Sequence, residues 1–90
     1  MKIYKYDFNF TMFARNGVAE ISLPVGYKIL DIQEQTGELK LWAIVDENED
    51  HMDLARFFIW GTGFDFPDKS KLKYFKTVQV NELVWHIFTE

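Results

Sequence analysis

The sequence predicts an all-β fold: a single β domain over residues 1–90, with about seven mostly antiparallel strands arranged as a sandwich or partly open barrel. Three observations lead there. Apolar and polar residues alternate with a period of two over most of the chain, and no long segment repeats with the helical period. Turn-forming pairs and Gly/Pro residues punctuate the runs at short intervals. Nine Phe, four Tyr and three Trp also need burying, so a twisted seven-stranded sheet must curl or split into two layers.

In "KIYKYDFNFTMF", Tyr4, Tyr6, Phe8, Phe10 and Met12 alternate with Lys5, Asp7, Asn9 and Thr11, which reads as a half-buried strand. Asn16-Gly17 suits a type I′ turn, and "VAEISL" then returns, so residues 3–23 are expected to form a hairpin. Pro24 ends that strand, with Gly26 free to take positive φ. "YKILDIQ" follows, with Ile29 and Asp31 expected on one face and Leu30 and Ile32 on the other. "EQTGE" reads as a short hairpin loop around Gly37. "LKLWAIV" is apolar on both faces and therefore central. "DENEDHMD" is a polar break, with room for one helical turn near residues 48–55. "LARFFIW" is again apolar on both faces. After the irregular "GTGFDFPDKSKLK", the strands "YFKTVQV" and "LVWHIF" pair through a tight turn at Asn81-Glu82.

Composition excludes several functions. The net charge of −4 opposes binding to duplex nucleic acid, which needs clustered Lys and Arg. With no Cys, neither disulfide nor thiol chemistry is available. No secretory leader pattern and no long apolar run appear, so a soluble protein of the cytoplasm, away from membranes, is expected.

Five features could carry function. Gly61, Thr62 and Gly63 could offer backbone N–H groups to an anion, yet neither a Walker nor a dinucleotide motif surrounds them, and a structural corner is favoured. Asp46, Asn48 and Asp50 begin a calcium-loop pattern, but His51 stands where its Gly belongs and Phe57 where its Glu belongs. An acidic hairpin tip is the better reading, and no metal site is assigned. His86 could act as an acid or base. Without a nucleophile or a second suitably placed His, it reads as a core or interface histidine with a backbone hydrogen bond, and no catalytic residue is assigned. Lys69, Lys71 and Lys73 alternate beside Tyr74 and Phe75. They could hold a phosphate and stack a base, or guard a sheet edge against aggregation. Finally, the aromatic surplus, with Tyr4, Tyr6, Trp60 and Trp85 foremost, is expected to reach a partner or homodimer interface.

Taken together, "KIYKY", "LPVGYKILDIQ", "LWAIVD", "FFIWGTG", "FPD", "YFKTVQV" and "LVWHIF" resemble a family of small uncharacterised proteins encoded by phages and prophages. The resemblance spans nearly the whole chain. Two departures stand out: Phe64 follows Gly-Thr-Gly where relatives often carry His, and the segment from Arg15 to Gly17 is longer. The resemblance implies a phage accessory protein in the bacterial host cytoplasm and carries over no activity. The expected function is therefore non-enzymatic: binding, and inhibition of a host protein or defence system, with no cofactor and as a homo-oligomer. One alternative is sequestration of a small anionic ligand such as a nucleotide signal, by Gly61, Thr62, Gly63, Lys71, Lys73, Tyr74 and His86. The other is a minor virion or assembly component.

Overall fold

Two antiparallel sheets pack their apolar faces together. The computed structural model describes residues 1–12, 16–66 and 71–90, the side chains of residues 11 and 12 excepted. Its strands are β1 Lys2–Asp7, β2 Thr11–Met12, β3 Asn16–Pro24, β4 Lys28–Gln35, β5 Glu38–Val45, β6 Met52–Gly61, β7 Lys73–Val80 and β8 Leu83–Thr89. Seven have six residues or more, and β2 is a two-residue pairing at an edge. The smaller sheet has the order β1-β5-β4 and the larger β2-β3-β6-β8-β7. No closed barrel forms; the architecture is a sandwich, without helix among the described residues.

The core follows from the alternation. Leu39, Leu41, Ala43 and Val45 of β5 point inward, as do Ala55, Phe57 and Ile59 of β6, and all are buried. Ala19, Ile21 and Leu23 of β3, Ile32 of β4, Val78 of β7 and Ile87 of β8 complete the cluster. Aromatic rings run through it in tilted or edge-to-face contact: Trp85 on Phe10 at 5.8 Å, Phe10 on Phe8 at 6.2 Å, Phe8 on Phe57 at 5.2 Å and Phe57 on Phe75 at 6.3 Å. Each such contact adds about 0.5–1.5 kcal/mol to the burial itself.

Several local expectations hold. Residues 24–27 form a tight turn, with Gly26 at φ 88° and the Tyr27 N–H donating to the Pro24 carbonyl at 3.2 Å. Thr36 and Gly37, at φ 54° and 86°, make the two-residue link between β4 and β5. β5 is central in its sheet, and Asn81-Glu82 joins β7 to β8.

Others are corrected. Residues 3–23 are not one hairpin: only Thr11 and Met12 pair back on β3, opposite Val18 and Gly17, whereas β1 pairs with β5, so Tyr4 lies opposite Ala43, and β3 pairs along its length with β6 in the other sheet. The chain changes sheets at Phe8–Phe10, where burying Phe8 outweighs continuing the strand. Asn16-Gly17 opens β3 instead of forming a turn, while Arg15 lies outside the described residues. A bulge at Leu30 interrupts the alternation of β4, so Ile29 and Ile32 both pack against the core and Leu30 is exposed. No helical turn forms at 48–55. Residues 46–51 instead cross between sheets, with the Asn48 N–H donating to the Asp46 carboxylate and the Val25 N–H to the His51 carbonyl.

β7 carries a second bulge, at Phe75. β4 and β7 are edge strands of different sheets, and each is bulged beside the residue that reaches across. Lys76 Nζ donates to Asp31 Oδ1 at 2.6 Å, closing this side of the sandwich. Burial alone would raise the Asp31 pKa. Hydrogen bonds from Lys76, the Gln33 amide and the Ile32 N–H outweigh it and hold the carboxyl below its ordinary value. The pair therefore contributes its stability above the unfolded aspartate pKa of about 3.9 and loses it as pH falls through the lower folded value. Asp31→Asn is expected to cost about 1 kcal/mol at pH 7, a figure discounted because both partners are about one-third exposed. Urea unfolding at pH 7 and below pH 4 checks this, since the gap between the two proteins should narrow in acid.

Candidate functional site

The outward face of the larger sheet carries the densest group of partly exposed aromatic and polar side chains. Strand register builds it in rows. Trp60 of β6, His86 of β8 and Thr77 of β7 lie side by side, and Phe58, Phe88 and Tyr74 form the next row. The chain then folds back over these rows. Gly61 ends β6, Thr62 and Gly63 turn with Gly63 at φ 92°, and Phe66 lands on the sheet. Its ring sits 4.8 Å from Trp60 and 4.7 Å from Phe88, while the Trp60 indole N–H donates to the Asp65 carbonyl at 3.0 Å. Tyr74 meets Phe88 edge-on at 5.8 Å. Trp60, Thr62, Phe66, His86 and Phe88 line a cavity of about 240 Å³.

Gly-Thr-Gly is thus a corner. A Cβ at Gly61 would come within 2.9 Å of the Phe64 ring and 3.3 Å of the Trp85 ring, so the missing side chain seats Phe64.

A hydrogen-bonded chain crosses the same face. Tyr74 OH lies 2.8 Å from Thr77 Oγ1, which lies 3.0 Å from His86 Nδ1. His86 Nε2 lies 2.9 Å from Thr62 Oγ1, whose hydroxyl donates to the Val84 carbonyl at 3.5 Å. A carbonyl only accepts, which gives the chain a direction. With His86 as the neutral Nε2–H tautomer, the Tyr74 hydroxyl would donate to Thr77, the Thr77 hydroxyl to Nδ1, and Nε2–H to Thr62. Both histidine nitrogens are thereby satisfied by side-chain hydroxyls, which corrects the expected backbone hydrogen bond. No carboxylate contacts the ring among the described residues, so the geometry provides orientation and hydrogen bonding without a charged relay.

The sequence-predicted residues divide accordingly. Thr62, Tyr74, His86 and Trp60 come together, with Gly61 and Gly63 forming the corner beside them. Lys73 does not join them: it precedes Tyr74 on the edge strand β7, pairs with Thr89, and projects from the opposite side of the sheet. Lys71 is exposed ahead of β7, and Lys69 lies outside the described residues. Trp85 faces inward onto Phe10, Tyr6 packs against the core, and Tyr4 is 41% exposed on the far edge strand β1. Thr77, Phe66 and Phe88 belong to the site and are absent from the sequence-based selection. The Asn81-Glu82 turn carries the signal for Thr77, because a two-residue turn there sets Thr77 opposite His86. The pairing of β6 with β8, which brings in Thr62, has no comparable local signal.

Two outcomes follow from this geometry. Neutral His86 is expected as the Nε2–H tautomer, readable from long-range proton–nitrogen NMR correlations; Nδ1–H would reverse the chain. Gly61→Ala is expected to push the Phe64 ring away from β6 at a cost of about 1 kcal/mol, the low end for overpacking because Phe64 is half exposed and can swing away. The urea midpoint and the Trp85 indole shifts check it.

No curated protein and no solved structure matches the chain. A family model does, over residues 1–90. The chain belongs to the family described as Domain of unknown function (DUF7352).

Proposed function

We propose that this protein is a non-enzymatic phage accessory protein of the host cytoplasm, which binds a host protein and inhibits it or the defence system it serves. The carrying observation is the outward aromatic face: Tyr74 is 62% and Phe66 40% exposed beside the half-buried Phe58 and Phe88 and the buried Trp60. Such a face exceeds what scattered surface residues account for, and Tyr and Trp anchors with nearby hydrogen-bonding groups are the usual makings of a protein interface. The threonine hydroxyls on both His86 nitrogens support a positioning role over acid–base turnover. The phage setting rests on the family resemblance of the sequence motifs.

The cavity of about 240 Å³ beneath Phe66 favours one second reading, a small planar ligand such as the base of a nucleotide signal. Its described lining offers aromatic rings, the Thr62 hydroxyl and the His86 ring, so such a ligand would be held there by stacking and hydrogen bonding.

Native mass spectrometry of the purified protein, before and after exposure to bacterial lysate, separates these readings. A gain of a whole host protein, lost in the Phe66→Ala/Tyr74→Ala double variant with the melting temperature within a few degrees, is the expected result. A gain of a few hundred daltons would replace it with the ligand reading. A mass of two or more chains and nothing else would assign the face to a homo-oligomer, and no gain at all would favour a virion component.

A further inference from the structure

His86 is held between two hydroxyls, and a hydroxyl can either give or take a hydrogen bond. Nδ1 lies 3.0 Å from Thr77 Oγ1, and Nε2 lies 2.9 Å from Thr62 Oγ1. The ring can therefore carry one proton or two without any heavy atom moving. Its two sides respond differently to the second proton. On the Nε2 side nothing changes: Nε2–H donates to Thr62, whose hydroxyl donates to the Val84 carbonyl. On the Nδ1 side the acceptor becomes a donor. Thr77 must then accept from Nδ1–H and turn its own hydrogen to the Tyr74 oxygen, 2.8 Å away. The Tyr74 hydrogen is displaced in turn and points off the protein, where this side chain is 62% exposed.

We infer that the Tyr74 hydroxyl is a polar contact of the partner-binding face, and that protonation of His86 turns it from an acceptor into a donor. The inference rests on the protein-binding reading above and names how that same face is regulated. With His86 neutral, Tyr74 donates inward and only its oxygen lone pairs face a partner, so the matching group is an N–H or O–H. With His86 charged, the same atom calls for a carbonyl or a carboxylate. A partner built for one state leaves an unmatched polar group in the other, which weakens binding. A donor-bearing partner is therefore held best above the titration of His86 and is released as pH falls through it. The hydroxyls are the polar contacts of the ring among the described residues. On β6, Trp60 lies opposite His86, and Arg56 farther along is engaged by Glu20 of β3 and Glu90 of β8. On β7 the neighbours are Thr77 and Tyr74, with Lys73 on the opposite side of the sheet and Lys71 exposed ahead of the strand. Asp65 meets Trp60 through its carbonyl, and Glu82 shares with Thr62 the lining of a neighbouring groove.

NMR of the purified protein tests this without a host partner. The ring nitrogens of His86 report its protonation. The Cζ carbon of Tyr74, isotope-labelled, reports whether its hydroxyl gives or takes a hydrogen bond. As pH falls, the Tyr74 resonance is expected to move with the same midpoint as the His86 nitrogens. Thr77→Val removes the linking hydroxyl and keeps a β-branched side chain suited to a strand. In that variant His86 is expected still to titrate, and the Tyr74 step at its midpoint to disappear. Thr77→Ser, which keeps the hydroxyl, is expected to retain the step. A Tyr74 resonance that ignores the His86 titration would overturn the inference; a neutral ring with its proton already on Nδ1 gives that result. A step that survives Thr77→Val would also overturn it, by showing that the charge acts through space and not along the hydroxyls. So would a His86 that stays neutral until acid unfolds the protein. None of these failures would touch the host-protein reading, and loss of that reading in lysate would leave the hydroxyl reversal standing without its binding role.

Discussion

Everything in this fold depends on Phe57. It stands at the middle of β6, fully buried, with Phe8 on one side and Phe75 on the other. Phe8 arrives from the segment that leaves the smaller sheet, and Phe75 from the bulge of β7. One ring thus joins a strand centre, a crossover and an edge. A sandwich of ninety residues has little interior, so the inward side of β6 must be filled without gaps. Ala55 and Ile59 flank Phe57 there, and β3 and β8 take their positions from the same strand. The outward side of β6 is fixed in consequence, and Phe58 and Trp60 found the aromatic face.

The sandwich is tied differently along its two sides. On one, the chain itself passes between sheets through Phe8–Phe10. On the other, closure falls to Asp31 and Lys76, which meet because both edge strands carry a bulge at the same level. A bulge turns one residue out of the alternation, and here it frees a charged side chain to reach sideways while Ile29 and Phe75 keep their places against the core. This arrangement leaves a seam and not a ladder between β4 and β7.

Period-two alternation made the face of most residues legible before their neighbours were known. Leu39, Leu41, Ala43 and Val45 could be read as inward from sequence, and the turns at Thr36-Gly37 and Asn81-Glu82 gave two hairpins with their registers. The partners of β1 and β3 could not be read. Alternation states which side of a strand is apolar and says nothing of which strand lies beside it, so Tyr4 and the run from Val18 to Leu23 looked like one hairpin. Leu30 was misassigned for a related reason: a bulge is imposed by what faces the strand from the other sheet. Half of the site was visible, in Thr62, Tyr74, His86 and Trp60. Lys73 was misplaced because adjacent residues of a strand point apart, and it stands next to Tyr74.

The two short hairpins have a kinetic consequence. β4–β5 and β7–β8 are each closed by two-residue turns and can form from neighbouring residues. Apart from the two-residue pairing of β2 with β3, β1 and β3 gain their partners from distant stretches, with Lys2 opposite Val45 and Asn16 opposite Trp60. Pairings of that span must meet the entropy of closing a long loop before any contact repays it. Folding of this domain should therefore be limited by the arrival of its N-terminal quarter on two preformed hairpins. Until it arrives, both β5 and β6 lie with an apolar edge uncovered.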